Sequence, residues 1–115
     1  MTYDLPLPIS TNALYYNKEG GGRGKTARYK AWVHDAAMIL LCQKARPVAG
    51  PVRVQIEVSE NSKCDIDNAA KCVLDALVAR GVIEDDRKKF VRGVSLEWST
   101  ETEGMRVTIK PTGEA

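Results

Sequence analysis

The segment at residues 52–58 constrains the fold most, because its apolar and polar side chains alternate strictly. Four branched aliphatic residues at every second position are separated by Arg53, Gln55 and Glu57. This period of two predicts a strand with one face in the core and the other toward solvent. A helical pattern of apolar residues follows at 65–80 and leads on to further strand patterns. The order strand, helix, strand favours a parallel crossover connection.

Similar patterns predict the remaining elements: a strand at residues 3–7, a helix at 26–46, and two strands at 90–98 and 105–109 that we expect to form a hairpin. We expect Asp67 to cap the second helix at its N-terminus and Gly81 to end it. The sequence therefore predicts a single α/β (α+β) domain over residues 1–115. Its mixed four-stranded sheet and two helices follow the order β-α-β-α-β-β, with both helices on one face. The open face would need a partner, so we expect a homodimer.

Composition excludes several other classes of protein. The chain has 115 residues, of which 43% are apolar and 28% are charged, with a net charge of +2, so it is neither disordered nor membrane-spanning. The N-terminal sequence lacks a basic stretch followed by an apolar one, so we expect no secretory signal and a cytoplasmic protein. Cys42, Cys64 and Cys72 show no CxxC spacing, and we expect reduced, inert thiols rather than a zinc site.

The charges are distributed unevenly along the chain. Residues 17–30 hold five cations and one anion, whereas residues 57–86 hold eight anions and three cations. The glycines at 20–22 and 24 predict a flexible, basic arm at about residues 17–28, either disordered or ordered by a ligand. Cations that hold a polyanion and acids that hold a divalent ion suit an enzyme that cuts phosphodiesters. A solvated charged surface would give the same asymmetry.

The pair Asp65 and Asp67 is the strongest candidate for a metal site. At the end of an extended stretch both carboxylates would lie on one side, where they repel each other unless a cation lies between them. Mg²⁺ takes such oxygen ligands together with substrate phosphate. Lys71, one helical turn after Asp67, can neutralise a carboxylate or reach a phosphate oxygen. If the strand after this helix lies beside the strand at 52–58, Asp85 or Asp86 would supply a third ligand.

Each of these features also has an interpretation without catalysis. An isolated D-x-D is often a cap or a turn, and a Lys71–Asp75 pair is more often a solvated salt bridge. Asp85 and Asp86 by themselves are typical of a surface turn. His34 is the sole histidine and has no partner pattern, so the sequence does not favour general-base catalysis by histidine.

The whole string is more specific than its parts. The pattern D-x-D-N-x-x-K-x-x-x-D-A-L at residues 65–77, followed by a Gly-Val turn and a D-D pair, resembles the RusA family of Holliday junction resolvases. The opening L-P-L-P-I-S-T-N, followed by two tyrosines, is similar to the start of that family. The resemblance extends from about Leu5 to the last strand. It implies a homodimer that binds four-way DNA junctions and makes paired symmetric nicks with Mg²⁺, or with Mn²⁺ in its place, in recombination and repair.

The resemblance also implies roles for individual residues. Asp65 and Asp67 match the paired metal ligands, Lys71 the lysine near the phosphate, and Asp86 the third catalytic carboxylate, whose role Asp85 could share. Candidate DNA contacts lie in the opening loop, in the basic arm and just before the acidic pair: Asn12, Tyr15, Tyr16, Arg23, Lys25, Arg28 and Lys63. Two alternatives remain, a metal-dependent nuclease acting on other branched DNA and a non-catalytic junction-binding module.

Overall fold

A mixed sheet backed by helices forms the framework of the protein. The computed structural model describes residues 1–10, 15–17 and 19–113, with the backbone alone described at Tyr15, Asn17 and Arg23. These described residues form six strands and two helices: β1 (Thr2–Leu5), β2 (Tyr15–Asn17), β3 (Arg23–Lys25), α1 (Ala27–Cys42), β4 (Val52–Ser59), α2 (Ile66–Arg80), β5 (Val91–Ser99) and β6 (Met105–Pro111).

The main sheet has the strand order β1-β6-β4-β5. β4 pairs in parallel with β5 and antiparallel with β6, and β6 pairs antiparallel with β1. The predicted α+β class, with its mixed four-stranded sheet and two helices, is therefore confirmed. The helix α2 makes the crossover that parallel pairing requires.

The expected hairpin between β5 and β6 is wrong, because β4 lies between these two strands. The chain leaves β5, passes over the end of β4 and returns on the other side of that strand. Two backbone hydrogen bonds hold this connection, from Glu60 N to Ser99 O at 3.0 Å and from Ser59 N to Gly104 O at 2.9 Å. Alternation in two successive segments predicts two strands, but it does not say whether a third strand pairs between them.

The core lies between the sheet and the helices. The apolar residues of β4 are all buried, as the alternation predicts, and they pack with apolar residues from both helices. The opposite face of the sheet is polar, with exposed residues such as Arg53, Gln55, Arg106 and Lys110. That composition suits contact with water, so the open face does not itself call for a partner.

Two helix ends differ from the predictions, and part of the arm has regular structure. Helix α1 ends at Cys42 rather than near residue 46. The N-cap of α2 is Asp65 rather than Asp67, which lies in the first helical turn. The arm contains a short hairpin in which β2 pairs antiparallel with β3, because three consecutive glycines at 20–22 adopt φ values of 82°, 104° and 80° and form its turn.

Gly104 is required where the connection after β5 passes β1. A Cβ atom at this position would lie 2.2 Å from the carbonyl oxygen of Leu5, which is a backbone atom and cannot rotate away. We therefore expect Gly104→Ala to lower the free energy of unfolding by about 1–3 kcal/mol in urea titrations.

Gly93→Ala provides the matched control, because its Cβ would meet side-chain atoms of Arg53, of which the terminal Nη1 is nearest at 2.7 Å. That long side chain can turn aside, so we expect a change within about 0.5 kcal/mol. Equal losses in the two variants would contradict the assigned role of Gly104.

Candidate active site

The acidic pair lies where α2 begins, one short loop after the end of the central strand β4. Asp65 occupies the N-cap with φ −65° and ψ 149°, and its side chain makes no capping hydrogen bond. Its carbonyl oxygen instead accepts from the backbone N–H groups of Asn68 and Ala69. Asp65 and Asp67 are both exposed. The structure therefore presents two carboxylates to solvent at a helix N-terminus, where the helix dipole stabilises negative charge.

Lys71 extends this face of α2 by one turn. Its Nζ lies 3.1 Å from Asp75 Oδ1, and the lysine side chain is 41% exposed. The salt bridge considered from the sequence is thus present in the structure. Because the lysine side chain remains partly exposed, a phosphate bound beside the acidic pair could reach its ammonium group.

Asp75 has further partners, from sequence-distant elements. The Tyr29 hydroxyl of α1 donates a hydrogen bond to Asp75 Oδ2, and Lys25 Nζ of β3 lies 3.5 Å from the same oxygen. The Asp75 side chain is only 11% exposed. No sequence pattern indicates this cluster, because Tyr29 and Asp75 are 46 positions apart and no local spacing links them.

Cys72 lies beside this cluster on the inner side of α2. Burial, with a smaller contribution from the neighbouring Cys64, raises the pKa of the Cys72 thiol from 9.0 to about 12. Both cysteines are buried and Cys42 is exposed, and all three are free thiols. The protonated Cys72 thiol acts as a small core side chain rather than as a nucleophile or a metal ligand.

The second acidic segment lies at the other end of the sheet. Backbone bonds from Val48 N to Val82 O and from Val52 N to Phe90 O hold the loop before β5 against the start of β4, whereas Asp65 follows the end of β4. Helix α2 has 15 residues, which separates its two ends by about 22 Å. β5 does lie beside β4, but the parallel direction places its beginning far from the acidic pair.

One chain therefore does not bring Asp85 or Asp86 to Asp65 and Asp67. Within the part of the chain that the structure describes, no group of three or more His, Cys, Asp or Glu side chains could hold a metal ion. The carboxylates of Asp65 and Asp67, at the start of α2, and those of Asp85 and Asp86, in the loop after it, thus lie apart within one chain.

The two aspartates of the loop before β5 differ in their surroundings. Asp85 accepts a hydrogen bond from the backbone N–H of Asp86 at 2.7 Å and pairs with Arg87 Nε at 2.6 Å. These contacts, the backbone hydrogen bond first, hold the pKa of the Asp85 carboxyl below its usual range. Asp86 is exposed. Asp85 thus orders the loop, and Asp86 is the better candidate for a ligand.

Part of the candidate DNA surface forms a cleft next to the acidic pair. Arg28 and Lys63 line this space of about 470 Å³, together with residues 7–10 and the polar Asn61 and Ser62. Tyr16 is exposed on the hairpin. Asn12 and the side chains of Tyr15 and Arg23 lie outside the described residues.

Paired carboxylates, a neighbouring ammonium group and an adjoining basic cleft are the components of enzymes that hydrolyse phosphodiesters with a divalent cation. The family model described as Endodeoxyribonuclease RusA matches residues 6–110, nearly the whole chain. The chain belongs to the RusA endodeoxyribonuclease family, as the resemblance predicted. It is therefore an enzyme of the crossover junction endodeoxyribonuclease class, and its family implies resolution of Holliday junctions. No curated protein matches the chain. Across the described residues, no helix is long and apolar enough to cross a membrane.

The buried Cys72 thiol predicts a specific loss of stability at alkaline pH. Above pH 9 the unfolded thiol ionises, whereas the folded thiol keeps its proton until about pH 12. The unfolded state then binds fewer protons than the folded state, so the free energy of unfolding falls as pH rises through this window. In urea titrations between pH 8 and 11, the free energy of unfolding should fall less steeply with pH for Cys72→Ala than for the wild type. Parallel declines would contradict the assignment.

Proposed function

We propose that the protein is a Mg²⁺-dependent endonuclease that resolves four-way DNA junctions by paired, symmetric nicks during recombination and repair. The observation that carries this proposal is the exposed pair Asp65 and Asp67, of which Asp65 makes no capping hydrogen bond. Such oxygen donors suit Mg²⁺ or Mn²⁺ and not zinc. We further propose that it acts in the cytoplasm of a bacterial or phage-infected cell.

Each residue of the site has a proposed role. Asp65 and Asp67 hold the divalent cation, which when bound lowers the pKa of a water and polarises the phosphate. Lys71 neutralises the negative charge that develops on the phosphate oxygens. Arg28 and Lys63 hold the DNA backbone along the adjoining cleft, which gives affinity that depends on salt and little on sequence.

We assign the third carboxylate to Asp86 of a second copy of the chain. Within one chain α2 keeps this residue at the far end of the sheet, so it can join Asp65 and Asp67 only from another molecule. A twofold dimer then contains two complete sites. This suits a substrate in which two strands are cut symmetrically.

The outer edge of β5 is where we place the contact between copies. Among the described strands, β5 pairs only with β4, and its other edge carries Val94 and Trp98, which are 38% and 43% exposed. A long edge strand with exposed apolar side chains is a template for pairing with another strand. Antiparallel pairing of two β5 strands about Ser95 would extend the sheet across the dimer.

This pairing would give favourable side-chain contacts between the two strands and would bring the acidic residues of the two copies together. In this register Val94 lies opposite Leu96 of the second copy, which gives an apolar contact. Arg92 lies opposite Trp98 of the second copy, which gives a cation–π contact. The beginning of one β5 then lies beside the end of the other. Asp86 of each copy, just before β5, thereby comes to the sheet end at which Asp65 of the other copy follows β4.

The test uses a synthetic, end-labelled four-way junction. We expect the wild type to make paired symmetric nicks with Mg²⁺ and none without it. Asp67→Asn should lower the cleavage rate by about two to three orders of magnitude while junction binding persists, because a ligand is lost and the basic cleft is intact. Asp35→Asn is the matched control, since this exposed residue lies on α1. It should cleave like the wild type.

Other outcomes separate the alternatives. Binding without cuts by the wild type, with either Mg²⁺ or Mn²⁺, would contradict the nuclease proposal and favour a junction-binding module. Faster cleavage of flaps or forks than of four-way junctions would instead identify another branched DNA as the substrate.

A further inference from the structure

Asp75 joins three elements that are distant in sequence. Its Oδ1 pairs with Lys71 of α2 at 3.1 Å, and its Oδ2 pairs with Lys25 of β3 at 3.5 Å and accepts from the Tyr29 hydroxyl of α1. Two ammonium groups therefore lie on the two oxygens of one carboxylate. The hairpin of β2 and β3 is thereby connected to the helix that carries the acidic pair.

The three charged side chains of this cluster differ in how deeply they are buried. The Asp75 side chain is 11% exposed, whereas the Lys25 and Lys71 side chains are each 41% exposed. The negative charge lies inside and both positive charges reach the surface. The surface side of the cluster therefore carries two partly exposed cations, which favour an anion outside it.

Tyr29 fixes the inner side of the cluster. Its side chain is fully buried and stacks on Trp32 with ring centroids 6.5 Å apart. Trp32 Nε1 in turn donates to the carbonyl of Leu7 at 2.8 Å, so this support is continuous with the N-terminal loop. Lys25 Nζ also lies 5.5 Å from the centroid of the Tyr29 ring, a cation–π contact. Lys25 is therefore held by a carboxylate and by a ring face together.

We infer that Lys25 is a second phosphate-binding residue of the active site and that Asp75 is the positioning residue that sets Lys25 beside Lys71. The ligand is a phosphodiester group of the strand being cut. This inference rests on the proposed function, since Lys71 lies one helical turn, about 6 Å, beyond Asp67. The hairpin is then part of the active site and not only a tether for DNA.

The arrangement explains why an acid lies beneath two phosphate-binding groups. Two ammonium groups placed this close repel each other, and the carboxylate between them removes that repulsion. Lys25 belongs to a three-residue strand of a short hairpin, which has little packing of its own to hold it. Asp75 supplies the missing constraint from the rigid helix.

The first test needs no DNA. Hydrogen exchange of the backbone amides in the hairpin should be faster by about tenfold in Asp75→Asn than in the wild type, with exchange in β4 unchanged. Asp35→Asn is the charge-matched control and should leave the hairpin unchanged. Equal protection of the hairpin in the wild type and Asp75→Asn would overturn the positioning role of Asp75.

The second test measures single-turnover cleavage of a four-way junction at saturating protein. Lys25→Met should slow cleavage by about ten- to hundredfold, whereas Lys30→Met, which removes an exposed cation of α1, should not. Asp75→Asn should cleave at least as slowly as Lys25→Met. The double variant should cleave no more slowly than Asp75→Asn, because both substitutions remove the same placement of the Lys25 ammonium group.

The outcomes distinguish this inference from the proposed function. Wild-type cleavage together with an unimpaired Lys25→Met would overturn the inference alone, whereas no cleavage by the wild type would overturn the proposed function. A rate for Asp75→Asn that returns to the wild-type value on cooling would reveal a purely stabilising role. That result would also overturn the positioning role.

Discussion

The parallel pairing of β4 with β5 determines where each functional segment of the chain lies. A parallel neighbour requires a crossover, and α2 makes it by running the length of the sheet. Its N-cap Asp65 and its first-turn Asp67 therefore lie at one end, and the loop after it carries Asp85 and Asp86 at the other. The same backbone geometry that buries the core thus divides the acidic residues into two halves. A second copy that pairs along β5 would reunite them.

The electrostatics of the site depend on a single inward-facing carboxylate. The Asp75 side chain is 11% exposed and binds Lys25, Lys71 and the Tyr29 hydroxyl. A partly buried ion pair of this kind adds little net stability, since desolvation offsets much of the attraction. Its value lies in specificity of position. It fixes where two cations emerge next to a pair of carboxylates, which is what recognition of a phosphodiester requires.

Local patterns predicted the elements, and long-range pairing explains what they missed. The alternation in β4, the apolar stripe of α2 and the acidic pair at its start could all be read from neighbouring residues. The hairpin predicted for β5 and β6 is wrong. Strand order depends on which strands pair with the two edges of β4, and alternation within one segment does not show this. The bond between Tyr29 and Asp75 likewise joins residues that no sequence period connects. Asp86 was identified by resemblance, but its separation from Asp65 became known only from the parallel direction of β5 in the structure.

Mixing two inactive variants tests whether each active site is built from two chains. Asp67→Asn and Asp86→Asn are each expected to be inactive on a four-way junction. In a mixed dimer one site combines the intact Asp67 of one chain with the intact Asp86 of the other. Random mixing of the chains should therefore restore nicking to roughly a quarter of the wild-type level. No recovery, with mixed dimers shown to form, would contradict the account, as would full activity of Asp86→Asn alone.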